Sequence, residues 1–212
     1  MSPEFLNLKP GPHRGRPFGT TKEGVRRELT PEEQDALFSA AKKRGVREEF
    51  MLKLCYRLAL RVKELVELKL DAFDDKTKEI LVKGCKGGDI QHYKVPDLWP
   101  LYERWLKERE APETNRWLFP HRDKPNDHLT LGGGQAVFTN VARDAGITGH
   151  SIHDLRVSCA TDMANSGAPQ VTIAGWLRHQ SVDSAAKYVS LRLTAEFQRL
   201  QAEQFTRRWR KR

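Results

Sequence analysis

Cysteine is scarce in this chain. Only Cys55, Cys85 and Cys159 occur in 212 residues, an odd and widely spaced set with no CxxC pair. That argues against a disulfide framework or a zinc ribbon and fits a reducing compartment such as cytoplasm or nucleoid. Long apolar runs are also lacking: none approaches the roughly 18 residues that a membrane span needs. No charged-then-apolar leader pattern opens the sequence. Acidic residues are in deficit, with 28 Asp and Glu against 37 Lys and Arg, giving a net charge of +9. A surplus of this size favours a polyanionic partner, and nucleic acid is the commonest one. The length suffices for a core without cross-links.

The organisation along the chain reads as three parts. Residues 1–28 hold Pro3, Pro10, Pro12 and Pro17 among glycines and basic residues, the composition of an extended basic arm. Within it, Arg14-Gly15-Arg16-Pro17 looks like the core of an AT-hook, which would lay Arg14 and Arg16 into a narrow A·T minor groove. A merely flexible, cationic arm is the alternative. Residues 29–190 read as the folded domain. It starts at Thr30-Pro31-Glu32-Glu33, where an N-cap, a proline in the first helical position and a capping-box glutamate coincide.

Phe50, Leu52, Leu54, Leu58 and Leu60 predict a buried helix, and a second apolar stripe follows a break near Arg61. Glu79 to Val82 and Ile90 to Val95 predict an antiparallel hairpin around Gly84, Gly87 and Gly88. Leu98, Leu101, Tyr102, Trp105 and Leu106 share one helical face. Residues 110–129 read as a polar connection. Helices are expected at about 130–145, 151–166, 170–178, 181–188 and 194–209. Residues 191–212 read as a C-terminal helix and basic tail. The class is mainly α with a small antiparallel β-sheet (α+β).

The C-terminal half concentrates residue types suited to one kind of chemistry. His153-Asp154-Leu155-Arg156 places an imidazole and a guanidinium on one helix face. Leu177-Arg178-His179 comes next, and Tyr188 follows nine residues after His179. Upstream, Arg61 stands at the break between two apolar helices. Each residue alone has an ordinary reading: a surface charge for Arg61, a solvated pair for His153 and Arg156, a helix C-cap for His179, a core or rim aromatic for Tyr188. Trp176 reads as core. His150 and His153 are three apart, but no third and fourth metal ligand is obvious.

Taken in order, Leu60-Arg61-x-x-Glu64-Leu65, His153-x-Leu155-Arg156, Leu177-x-His179 and Tyr188 resemble the signature of the tyrosine recombinases, the phage integrase family. The resemblance covers about residues 30–190 and implies that family's catalytic-domain fold. It also implies a site-specific recombinase that cleaves and rejoins double-stranded DNA through a 3′-phosphotyrosine intermediate. Tyr188 would be the nucleophile. Arg61 and Arg156 would grip the non-bridging phosphate oxygens, more tightly as charge builds in the transition state. His153 would accept or shuttle the tyrosine proton, and His179 would donate a hydrogen bond to the phosphate. A hairpin lysine would protonate the departing 5′ oxygen. Lys86 is preferred for its place before Gly87-Gly88 and the later Val95-Pro96, with Lys83 the alternative. Glu64 would hold its helix or orient an arginine. Neither a cofactor nor a metal is called for.

Two departures stand out. Arg178 occupies a position where the family often has glycine, so it would add a DNA phosphate contact or alter the loop. The arm is also too short to form the N-terminal core-binding domain typical of these enzymes. As for partners, the resemblance implies a homo-oligomer, a tetramer on DNA, with residues 194–206 docking on a neighbouring protomer or packing on their own domain. A type IB topoisomerase shares the catalytic residue types, and a DNA-binding protein that keeps the fold without the chemistry is the third possibility.

Overall fold

The computed structural model describes residues 28–84, 90–124 and 126–178. Helix α1 spans Pro31–Arg44, and the Thr30 hydroxyl accepts from the Glu33 amide while the Glu33 carboxylate accepts from the Thr30 amide. The predicted capping box is therefore formed, and it satisfies two donors that a helix start leaves orphaned. Just upstream, the Leu29 amide donates to Ser158 Oγ at 2.8 Å, which ties the entry of the domain to a helix 129 residues later.

Helix α2, Val46–Arg57, is the axis of the molecule. It packs against α1 and against four later helices: α3 (Val62–Val66), α4 (Trp99–Glu108), α5 (Leu131–Asp144) and α6 (Ile152–Asn165). Phe50, Met51, Leu52, Leu54 and Cys55 are all fully buried, so apolar residues are needed all round rather than on one stripe. The sheet is antiparallel, ordered β1 (Phe73–Asp74), β2 (Glu79–Lys83), β3 (Ile90–Lys94), with Ile80 opposite Tyr93 and Lys83 opposite Ile90. The hairpin matches its sequence expectation; the two-residue β1 is an addition.

Helix α4 carries the expected apolar face, with Leu101, Tyr102 and Trp105 buried and Leu106 at its exposed margin. The segment 110–129 is irregular, but its reading as a simple polar connection needs correcting. Leu118 and Phe119 are fully buried, and Phe119 packs on Phe50 and Trp105. Two apolar residues between Trp117 and Pro120 are too short a run to show periodicity. Helix α5, Leu131–Asp144, starts at an N-cap, Thr130, and α7 spans Gln170–Trp176. Gly134 of α5 lies so close to α3 that an added Cβ would meet Val62 and Val66 at 3.0 and 3.1 Å. No helix among the described residues is long and apolar enough to cross a membrane.

The core is in two parts. The larger cluster centres on α2 and the aromatic residues of the sheet and α4. A smaller one joins Ala59 to Val157, Cys159, Ala160 and Ala164 of α6 and to Ile173, Ala174 and Leu177 of the α7 segment. The arginines described next lie at Ala59 and Leu177, members of that smaller cluster.

Candidate active site

The end of α2 makes the first half of the site. Ala59 takes a left-handed conformation (φ 47°), and the Leu60 amide returns to the Cys55 carbonyl at 2.9 Å. This turn ends the helix and leaves the Leu58 and Ala59 carbonyls available to donors from elsewhere. Arg61 then stands as the N-cap of α3 in extended conformation. Its amide donates to Glu64 Oε2 at 2.9 Å, and its guanidinium donates to Glu64 Oε1 at 2.8 Å. The Arg61 side chain is 38% exposed, whereas that of Glu64 is 0% exposed. One buried carboxylate therefore caps the helix and orients the arginine together.

Helix α6 makes the second half. Asp154 accepts from the Ser151 amide at 2.8 Å, which fixes the first turn, and His153 lies exposed in that same turn. Arg156 is one turn further and almost wholly buried. It donates to the Ala59 and Leu177 carbonyls, so its guanidinium bridges the C-terminal ends of α2 and α7. Anchoring to these two carbonyls sets the plane of the guanidinium.

Arg178 joins the halves. Its side chain is 4% exposed and is turned inward. It donates to Glu64 Oε2 at 2.7 Å, Ala59 O at 2.9 Å, Leu58 O at 3.0 Å and Trp176 O at 3.1 Å, and also to the Tyr93 hydroxyl. The guanidinium expected to add a DNA phosphate contact or alter its loop is engaged by these interior acceptors. Its φ of 53° supplies the reason a glycine suits this position, since it follows the end of α7 in left-handed conformation. Tyr93, which sequence reasoning passed over, presents its hydroxyl to Arg178 and donates to Trp176 O at 2.5 Å. No motif marks Tyr93; only the hairpin's register brings it here. Trp176 packs edge-on against Tyr93, and its Nε1 donates to Arg57 O at 3.0 Å.

The electrostatics follow from this arrangement. Burial pushes the Glu64 carboxyl up, but the Arg178 charge and hydrogen bonds from Arg178 and Arg61 outweigh it, so its pKa falls below the usual range. Arg61, Arg156 and Arg178 against Glu64 leave two positive charges in excess. A partly buried excess of this sign suits an anion more than a neutral ligand. Burial pushes the Cys55 and Cys159 thiols up to about 12.

Arg61 and Arg156 are thus brought together from positions 95 residues apart in sequence, through Ala59, Arg178 and Glu64. Lys83 is exposed at the end of β2 and lines a cleft of about 560 Å³ with Glu64, Lys69, Trp117 and His128. Lys86, His179 and Tyr188, and the arm residues Arg14 and Arg16, lie outside the described residues, as do the helices expected at 181–188 and 194–209.

Comparison with known proteins bears on the chain as a whole. The model of the phage integrase family matches residues 27–194. Tyrosine recombinase XerC of Staphylococcus saprophyticus is 30% identical over 162 residues, covering 74% of this chain and 54% of that protein. The chain thus spans about half the length of XerC. The type 1 fimbriae regulatory protein FimE of Escherichia coli K12 is 28% identical over 177 residues, covering 78% of this chain and 86% of FimE. Among solved structures, the XerH site-specific recombinase bound to palindromic difH substrate in a post-cleavage complex superposes with a TM-score of 0.68. It has 23% identity and covers 80% of this chain and 51% of XerH. The chain belongs to the phage integrase family, the tyrosine recombinases.

Proposed function

We propose that this chain breaks and rejoins double-stranded DNA at specific sites through a covalent bond from Tyr188 to a 3′ phosphate. The observation that carries the reading is the convergence of Arg61 and Arg156 on one small, positively charged region built from the ends of α2, α6 and α7. In this scheme the Tyr188 oxygen attacks phosphorus, the bond from phosphorus to the 5′ oxygen breaks, and a free 5′ hydroxyl is left. A 5′ hydroxyl from another strand then attacks the phosphotyrosine and releases Tyr188. Bond energy is conserved across the two steps, so no nucleotide triphosphate is consumed. Arg61 and Arg156 hold the two non-bridging oxygens, where negative charge grows. His153 handles the tyrosine proton, His179 donates to the phosphate, and Lys86 (or Lys83) protonates the leaving oxygen. Arg14 and Arg16 add a minor-groove contact. A DNA-bound tetramer would supply the four active sites that two strand exchanges need. Such DNA-bound relatives as XerH support a DNA substrate.

A nicked suicide substrate tests nucleophile, substrate and reaction together. The chain is expected to form a covalent protein–DNA adduct that Tyr188→Phe does not form. No adduct from the chain, or an undiminished adduct from Tyr188→Phe, overturns the assignment. Relaxation of supercoiled plasmid without defined sites would point instead to topoisomerase-like action.

A further inference from the structure

Arg178 is locally unfavourable. A non-glycine residue in left-handed conformation is disfavoured by its Cβ, and here φ is 53°. Its Nε is also buried without a hydrogen-bond partner, a second local cost. Such an outlier persists only where the surroundings over-determine it. The surroundings here are specific. One guanidinium nitrogen engages Glu64, which holds both the backbone and the side chain of Arg61. The same nitrogen engages Ala59 O, the carbonyl on which Arg156 also rests. The other engages Leu58 O and the Tyr93 hydroxyl of the hairpin strand. A single side chain is thus bonded to the supports of both candidate phosphate-binding arginines and to the strand next to the hairpin turn.

We propose that Arg178 is a positioning residue: it locks Glu64, the Ala59 turn and Tyr93 into one frame so that Arg61 and Arg156 present a preorganised pair to the phosphate. The proposal rests on the recombinase reading above. Arg178 does not touch the DNA; it acts through Glu64 on Arg61 and through Ala59 on Arg156. A glycine at this position would relieve the backbone and leave the frame unlocked. That makes Arg178→Gly the informative variant, because it removes the guanidinium without straining the chain.

The full chain and three variants (Arg178→Gly, Arg61→Ala and the double variant) are compared with the suicide substrate. For Arg178→Gly, single-turnover cleavage at saturating DNA is expected to fall about 10- to 100-fold. DNA affinity is expected to hold within about threefold, which separates positioning from uniform binding. In the Arg61→Ala background the same substitution should slow cleavage much less, because part of its effect passes through Arg61. Undiminished cleavage by Arg178→Gly overturns the proposal. So does a drop that is equal in both backgrounds, or one that tracks a lowered melting temperature and vanishes on cooling. If the parent chain yields no adduct, the recombinase reading fails, and positioning is then read from the arginine Nε–Hε signals in NMR spectra. Shifted or broadened Arg61 and Arg156 signals in Arg178→Gly would uphold the frame, and unchanged signals would overturn it.

Discussion

The two candidate phosphate-binding arginines differ in what else they do. Arg61 is substantially exposed and paired within its own helix turn. Arg156 is buried and donates to backbone carbonyls at the ends of two other helices. Removing Arg156 leaves the Leu177 carbonyl short of its donor and opens a void, which costs about 2 kcal/mol or more. Removing Arg61 leaves Glu64 paired with Arg178 and costs under about 1 kcal/mol. Thermal melts should therefore show Arg156→Ala unfolding about 4–8 °C lower, with Arg61→Ala near the parent. Both are expected to keep most DNA binding and lose most cleavage. Equal losses of binding and cleavage would make them mere backbone grips. The same scale governs the cysteines. With their thiols pushed up to about 12, Cys55 and Cys159 stay protonated near neutral pH and should resist alkylation until the protein unfolds. Quantitative labelling of either in the native state would contradict their burial.

At the scale of elements, the caps and the glycines make separable claims. The Thr30 box was legible because its chemistry is local: donor, acceptor and proline lie within four residues. Thr30→Ala should cost about 1 kcal/mol, seen as a small drop in melting temperature. Helix α5 opens with Gly132, Gly133 and Gly134, which sequence alone treats alike. Packing separates them. A Cβ at Gly132 meets nothing within 4 Å, while one at Gly134 presses on Val62 and Val66 of the helix that carries Glu64. Gly132→Ala should therefore stabilise by about 0.5–1 kcal/mol, and Gly134→Ala should not. Denaturant titration of the two variants distinguishes them; equal gains would mean α3 yields freely. The hairpin was legible from its alternation, yet the placement of Tyr93 beside Arg178 was not, since register across distant elements leaves no local mark.

For the whole molecule, charge sets both stability and association. The folded pKa of Glu64 lies below its unfolded value, as does that of Asp97, whose carboxylate takes a hydrogen bond and charge from Arg57. A depressed carboxylate contributes stability that is fully present above the unfolded pKa, about 4, and is lost as pH falls through the folded value. Stability should accordingly decline on acidification below about pH 4–5, and Glu64→Gln should flatten that decline. A parallel acid limb in parent and variant would remove Glu64 from the account. The net charge of +9 predicts DNA affinity that falls steeply with salt, measurable as a linear slope in a log–log titration. A salt-independent affinity would contradict a phosphate-dominated interface.

What the sequence determined by itself is whatever short-range spacing encodes. It specified the capped start of α1, the buried α2, the hairpin and the ordered set from Arg61 through His153 and Arg156 to His179 and Tyr188. What only the tertiary structure decided concerns groups far apart in the chain. It turned Arg178 inward onto Glu64, placed Leu118 and Phe119 in the core, and seated Arg156 on carbonyls from α2 and α7. The reason is physical. A guanidinium looks the same in sequence whether it meets solvent or carbonyl oxygens, and only packing determines which acceptors come within reach.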